Sequence, residues 1–270
     1  MSYLALNSSA SGMNALNTQL DVIANNIANA DTPAFKSSRT DFQDLYYIEK
    51  KQPGVENVAT QSTSPVGLFV GLGVEVAGTQ LNMEQGVPIK GQDLDVMIQG
   101  NGFFQIDMGD LSPTGIGYTR NGQFKLNADG ELVVGADVGY RLEPAIQIPP
   151  NAGPVTITPD GSVYYQDPNS ANAELAGRIE LAVFQNPAGM EQFGQNILLE
   201  TFASGQPNVG DPGDSGIGAG GLNPGFYEGS NVSAVTELVD LIRTQRAFEM
   251  NSQSFNAADE TLQTVVNLGR

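Results

Sequence analysis

Apolar residues recur at alternating three- and four-residue steps at both ends of the chain. Toward the C-terminus these steps fall on Leu238, Leu241, Gln245, Phe248, Ser252, Phe255, Asp259, Leu262 and Val266. One column of that heptad, Leu241, Phe248, Phe255 and Leu262, is wholly apolar; Gln245, Ser252 and Asp259 interrupt the other. A stripe this narrow is the seam of a helix that meets other helices, not a broad face laid on a globular core. The first thirty residues repeat the pattern with Leu6, Ser9, Met13, Leu16, Leu20, Ile23, Ile27 and Ala30. Such helices are marginal alone, so the two ends are expected to be partners, of each other or of other copies. Gln245, Ser252 and Asp259 either set register by interhelical hydrogen bonds or form a solvated edge. The N-terminal helix should stop near Ala30, where Asp31-Thr32-Pro33 breaks it. Ser233 is placed to cap the C-terminal helix, with Glu237 in its first turn.

Between the helices the pattern changes twice. From Phe35 to about Gly86 the text is turn-rich, with Gln52-Pro53-Gly54, Ser64-Pro65 and a run of glycines around Leu68, Phe69 and Leu72. A loop this long is uncommon inside a compact domain. An extended arm that gains order by lying on something else is therefore expected over 34–86. From Val87 to Thr201 the period is that of strands. Leu94–Ile98 leads through Gly100-Asn101-Gly102 into Phe103–Ile106, which reads as a hairpin. Phe124–Leu126 and Leu132–Val134 flank another turn, and short strands follow at Ala145–Ile148, Val155–Ile157, Val163–Tyr165, Ile179–Phe184 and Ile197–Glu200. Closely spaced short strands indicate an all-β domain, and a fragment of residues 87–201 is expected to fold by itself. Ser204 to Gly225 reads as a Gly/Pro/Asp linker. The resulting plan is α+β: terminal helix 1–33, arm 34–86, all-β domain 87–203, linker 204–229 and terminal helix 230–270, the helices joining in a coiled-coil-like domain.

Composition narrows the function more than it alters the fold. With 40% hydrophobic and 16% charged residues the 270-residue chain reads as folded. A net charge of −18 opposes binding to nucleic acid or to an anionic membrane surface. No residue is His or Cys, which removes the commonest metal ligand and general base together with thiolate sites. No apolar run reaches the ~18 residues of a membrane span, and the N-terminus does not read as a cleaved signal peptide. Asn127-Ala128-Asp129-Gly130-Glu131 lacks the alternating ligands and distant Glu of a calcium loop and reads as a hairpin turn. Asp93 with Asp95, and Asp211 with Asp214, are nominal carboxylate pairs, but nothing fixes either at a defined separation. No catalytic residue, cofactor or metal is expected.

Three stretches carry a resemblance. Asp21-Val22-Ile23-Ala24-Asn25-Asn26-Ile27-Ala28-Asn29-Ala30-Asp31-Thr32-Pro33-Ala34-Phe35-Lys36 resembles the N-terminal signature of bacterial flagellar rod and hook proteins. Gly229-Ser230-Asn231-Val232 through Gln245-Arg246-Ala247-Phe248-Glu249 resembles the matching C-terminal signature. Thr119-Arg120-Asn121-Gly122-Gln123-Phe124 with Gly130-Glu131-Leu132-Val133 is similar to their shared β domain. The arm, from Phe42-Gln43-Asp44-Leu45-Tyr46-Tyr47 to Pro65–Val74, is similar to the stretch that stiffens distal-rod members. Ala34, where the family often has Gly, and the acidity depart from the pattern.

The resemblance implies a subunit exported without a cleaved signal, polymerising into a rigid hollow tube in the basal body across the periplasm. It implies self-association, contacts with other rod proteins, hook protein, surrounding ring proteins and the export apparatus, and no catalysis. Leu6, Met13, Leu16, Leu20, Ile23, Ile27, Leu238, Leu241, Phe248, Phe255, Leu262 and Val266 would form the subunit interface. Gln52, Pro53, Gly54, Pro65, Gly67 and Leu68 would belong to the rigidity arm. The rival readings are a proximal-rod or hook subunit, a surface binding module anchored by helices, and a carboxylate hydrolase.

Overall fold

The computed structural model describes residues 2–54, 56–57, 62–63, 66–135, 138–167 and 173–268. The architecture is α+β, in two compact units. The first comprises Met1–Ala28, Ser38–Gln80 and Ser233–Arg270, the second Asn29–Ser37 and Leu81–Val232.

The first unit holds α1 (Ser2–Ala28) and α2 (Ala234–Leu268). Between them in sequence lie β1 (Ser38–Asp44), β2 (Tyr47–Lys51), β3 (Glu56–Asn57), β4 (Ser62–Thr63), β5 (Leu68–Gly71) and β6 (Val74–Leu81). These strands pair β1 with β6, β2 with β5 and β3 with β4. The register stays continuous, from Tyr47 opposite Gly71 and Ile48 opposite Val70 to Asn57 opposite Ser62, with one bulge between Glu49 and Lys51. Among the described residues the stretch expected to be an irregular arm is thus a hairpin-like series of antiparallel strand pairs. Its backbone groups satisfy one another across the ladder, which no local turn signal announced. Pro65 lies outside the described residues.

The second unit contains β7 (Pro88–Lys90), β8 (Val96–Gln99), β9 (Phe103–Asp107), β10 (Ile116–Thr119), β11 (Phe124–Leu126), β12 (Leu132–Val134), β13 (Tyr140–Glu143) and β14 (Val155–Ile157). It continues with β15 (Ser162–Gln166), β16 (Ala173–Arg178), β17 (Leu181–Val183), β18 (Glu191–Gly194), β19 (Ile197–Leu199), β20 (Asn208–Gly210), β21 (Gly221–Pro224) and β22 (Phe226–Glu228). The large sheet runs β11-β12-β13-β9-β10-β19-β18, with β17 pairing to β9 and β20. Strand β9 is central: β10 covers one edge, while β13 and β17 share the other. Phe104 and Ile106 enter the main core with Phe124, Leu132, Leu142, Ile148 and Leu181. Phe103 faces the opposite side, with Tyr118, Phe184 and Met190. A sheet buried on both faces reads as continuous apolar text rather than alternation, as Phe103-Phe104 does here.

Two further expectations are corrected. Val96–Gln99 and Phe103–Asp107 flank a glycine turn but do not form a hairpin; β8 pairs with β21 instead. Gly100 and Gly102 both take positive φ, 112° and 135°, and steer the chain into a different sheet. The supposed linker 204–229 supplies β20, β21 and β22, which pair with β17, β8 and β7. Its partners lie far away in sequence, so glycine and proline content alone misread it. A fragment of residues 87–201 would lack these strands and the Asn29–Ser37 segment.

Candidate assembly interface

The helical seam forms within one chain. Asn26 Nδ2 donates to Glu237 Oε1 at 3.3 Å, and a Cβ on Gly12 would stand 3.1 Å from Asn251 Nδ2. Going up α1 means going down α2, so the helices are antiparallel. The two contacts span fourteen residues, about 21 Å of helix. Gly12 and Ala15 are buried, and their small size lets the backbones approach. On α1, Ile23 is buried, while Leu6, Met13, Leu16, Leu20 and Ile27 are half-buried. On α2, the predicted apolar column Leu241, Phe248, Phe255 and Leu262 is half-buried.

In the second column of α2 only Ser252 is half-buried within the chain, and burial falls on neighbouring positions. Thr244 is buried and Asn251 and Ala258 half-buried, whereas Leu238, Gln245, Asp259 and Val266 are exposed. Gln245 and Asp259 are therefore a solvated edge, and Asp259 Oδ2 accepts from Gln263 Nε2 one turn away at 2.9 Å. The seam follows Glu237, Thr244 and Asn251 because polar side chains there find partners: Thr244 Oγ1 donates to Asp240 O at 2.8 Å. Beside it, Val235, Leu238, Val239, Ile242 and Met250 form a strip of exposed apolar side chains, Ile242 at 50% and Val235 at 74%. Burial raises the Glu237 carboxyl above its usual range, against the Asn26 hydrogen bond that lowers it.

The base of the hairpin is seated on α1. Asn26 Nδ2 donates to Ser38 O at 2.8 Å and Ser38 N to Asn26 Oδ1 at 3.0 Å. Fifteen residues back along the helix, Val74 N donates to Ser11 Oγ at 3.3 Å. The helix rises about 22 Å over that interval, matched by the roughly 23 Å of strand from Ser38 to Leu45. Gly73 has φ 121°, and a Cβ there would crowd Ser8 and Ser11. Beyond Leu45 the ribbon leaves both faces in solvent. Tyr46 is 90% exposed, and Tyr47, Ile48, Val66, Leu68 and Phe69 are exposed too. Gln52, Pro53 and Gly54 lie on that exposed stretch, and Gly67 is half-buried.

Within the second unit, three segments meet at a buried ionic cluster. Glu228 Oε1 accepts from Lys36 Nζ at 2.6 Å and from Gly86 N at 2.8 Å. Arg120 Nη1 stands 3.5 Å from both Glu228 oxygens, its Nε donates to Gly102 O at 3.0 Å, and its Nη2 donates to Gly100 O. The Arg120 guanidinium also lies over the Phe103 ring, 5.6 Å from its centroid. Glu228 is fully buried and Lys36 and Arg120 nearly so. Burial lowers both cations' pKa values, and the Glu228 carboxylate opposes this. In the sequence Lys36 and Arg120 stand only within the motifs, and nothing local marks Glu228.

Asp95, Asp211 and Asp214 of the nominal carboxylate pairs have structural partners. Asp95 Oδ2 accepts from Gln92 N at 2.7 Å, Asp211 pairs with Arg178 at 2.6 Å, and Asp214 Oδ1 accepts from Gly216 N at 2.8 Å. Asn127 Oδ1 accepts from Asp129 N and Glu131 N, which folds that loop as the turn between β11 and β12. Among the described residues no acidic cluster has the arrangement to hold a metal ion, and no helix is long and apolar enough to cross a membrane.

Three family profiles match in chain order. Residues 6–36 match "Flagella basal body rod protein", 97–165 "Flagellar hook protein FlgE/F/G D1 domain" and 223–268 "Flagellar basal body rod FlgEFG protein C-terminal". The flagellar basal-body rod protein FlgG of Agrobacterium fabrum is 44% identical over 257 residues, covering 95% of each chain. The chain belongs to the flagellar basal-body rod protein family. The FlgG protein of Borreliella burgdorferi is 39% identical with 98% of each chain covered, and a FlgF protein of Mesorhizobium japonicum 31% with 97% and 96%. In this rod protein each matched stretch contributes one charge to the buried cluster: Lys36, Arg120 and Glu228 in turn.

Proposed function

We propose that this chain is a structural subunit of the flagellar distal rod, polymerising with copies of itself into a rigid hollow shaft. Near-full-length similarity to FlgG proteins supports the assignment. The observation that carries the mechanism is the unfinished state of the helical unit: α2 leaves Val235, Leu238, Val239, Ile242 and Met250 in solvent. An exposed apolar strip on a helix, here interrupted by Arg246 between Ile242 and Met250, marks a protein-contact face, and its partner here is the same unit of neighbouring copies. Contacts of this head-to-tail kind that do not close on themselves build a helical assembly. The second support is the hairpin beyond Leu45. A solitary two-stranded ribbon with both faces wet is marginal in water, and its exposed Tyr46, Tyr47, Leu68 and Phe69 would gain by lying across adjacent subunits. Gln52, Pro53, Gly54, Gly67 and Leu68 belong to that ribbon, and the bridge it makes would block axial sliding.

The shaft so built transmits torque from motor to hook and carries export substrates along its lumen. It spans the periplasm between other rod proteins, the hook and the surrounding rings, and its own subunits arrive through the export apparatus. No catalysis enters this role. Deleting the gene and imaging purified basal bodies tests the assignment: truncated rods without hooks are expected, with stub length separating distal from proximal. Complete rods lacking only hooks would move the protein to the hook, and normal flagella would remove it from the organelle. Removing residues 52–70 is expected to give bent or shortened rods, and unchanged straight rods would end the role of the hairpin.

A further inference from the structure

The segments Asn29–Ser37 and Leu81–Val87 reach the second unit from distant parts of the chain, and a third short segment stitches both. Glu228 O accepts from Ala34 N at 2.8 Å, Asn231 N donates to Phe35 O at 3.3 Å, and Ser37 N donates to Asn231 Oδ1 at 2.7 Å. On the other side, Asn231 Nδ2 donates to Asn82 O at 2.9 Å and Glu84 O at 3.1 Å. Gly229 N donates to Val87 O at 2.9 Å, and the Glu228 carboxylate takes Gly86 N and Lys36 Nζ. Lys36 and Glu228 are 192 residues apart.

Charge makes this convergence directional. Lys36 and Arg120 are both nearly buried, and among the described residues the carboxylate that pairs with both is Glu228. Before residues 228–231 arrive, closing the junction would bury two like charges without a counterion and leave the Gly86 amide unpaired. Such a state is strongly disfavoured, because an uncompensated buried charge keeps its whole desolvation penalty. The core around β9 carries no such requirement, since its strands are joined by apolar contacts and backbone pairing.

We infer that residues 228–231 are a closing latch: the β unit seals the Asn29–Ser37 segment into place only when Glu228, the last member to emerge from the N-terminus onward, neutralises Lys36 and Arg120. The junction at both helix roots is therefore completed as the final step of folding and only on a nearly complete chain. This device is independent of which filament the protein builds.

Pulse-labelled hydrogen exchange during refolding of the dilute full-length chain tests it. Amides of β9 and β10 are expected to gain protection early. Those of Ala34, Ser37, Asn82 and Gly86 should gain it later, in one step together with Gly229 and Asn231. In Glu228→Gln, which keeps the shape and an oxygen for Gly86, the late step should slow at least about tenfold with the early step unchanged. The double variant Lys36→Met with Glu228→Gln removes one of the two cations and should recover much of that rate; it serves equally if the single variant does not fold. Protection of Ser37 and Gly86 in the early step would overturn the inference. So would an unchanged late step in Glu228→Gln, or a double variant no faster than the single one.

Discussion

The two units of this protein solve the burial problem to different extents. In the β unit, Phe104, Ile106, Leu142 and Leu181 are completely buried, and both faces of β9 are covered by the same chain. In the helical unit the largest side chains of the α2 seam, Phe248 and Phe255, stay half-buried, and apolar neighbours such as Ile242 remain in solvent. One region is finished by its own chain, and the other is left with surface that a neighbour would cover. A unit that must join others needs that surplus, and a unit that must hold its shape alone cannot carry it.

Measurements on the isolated chain can break this contrast. Phe104→Ala, which empties a fully buried site packed 5.0 Å from Phe124, should lower stability by about 3–5 kcal/mol in urea unfolding. Phe248→Ala on α2 should have roughly half that effect, because its ring is only half removed from water; equal losses would mean that the helical unit is as closed as the β unit. Gly73→Ala should follow at about 1–3 kcal/mol, read out as faster exchange of the Val74 amide with the β core unaffected.

Tyr118 offers a pH test of closure. Burial first, then the Glu200 charge, lifts its phenol to about 12, above the roughly 10 of an unfolded tyrosine. The folded state then holds its proton longer, so this contribution to stability is intact below the unfolded value and is lost as pH rises toward the folded one. Spectroscopic titration should show a tyrosine ionising near pH 12, absent from Tyr118→Phe. The smallest effect on the isolated chain belongs to Ile242→Asp, within about 0.5 kcal/mol, yet it should abolish polymerisation. Normal filaments from that variant would remove the exposed strip from the assembly contact.

Much of the helical unit was legible because its signal is local and periodic. Leu241, Phe248, Phe255 and Leu262 are all half-buried along one column of α2, and the helix ends fall close to Pro33 and Ser233. In the other column Leu238 and Val266 stay exposed in the single chain, while Thr244 and Asn251 beside them are drawn in. Hydrophobicity alone cannot tell a seam inside the chain from a strip kept for another copy. Most of the short strands expected from the sequence form, Val155–Ile157 among them, but Ala145–Ile148 makes only an isolated bridge at Gln147.

The sequence by itself determined the order of elements, the narrow helical seams, the β character of the middle and the absence of His and Cys chemistry. These rest on local spacing and composition. Only the tertiary structure decided that the arm is a paired hairpin, that β8 turns away from β9 toward β21, and that the apparent linker supplies three strands. It alone brought Lys36, Arg120 and Glu228 together. Strand pairing and buried ion pairs join residues up to 192 positions apart, and their energy depends on what surrounds them rather than on what adjoins them.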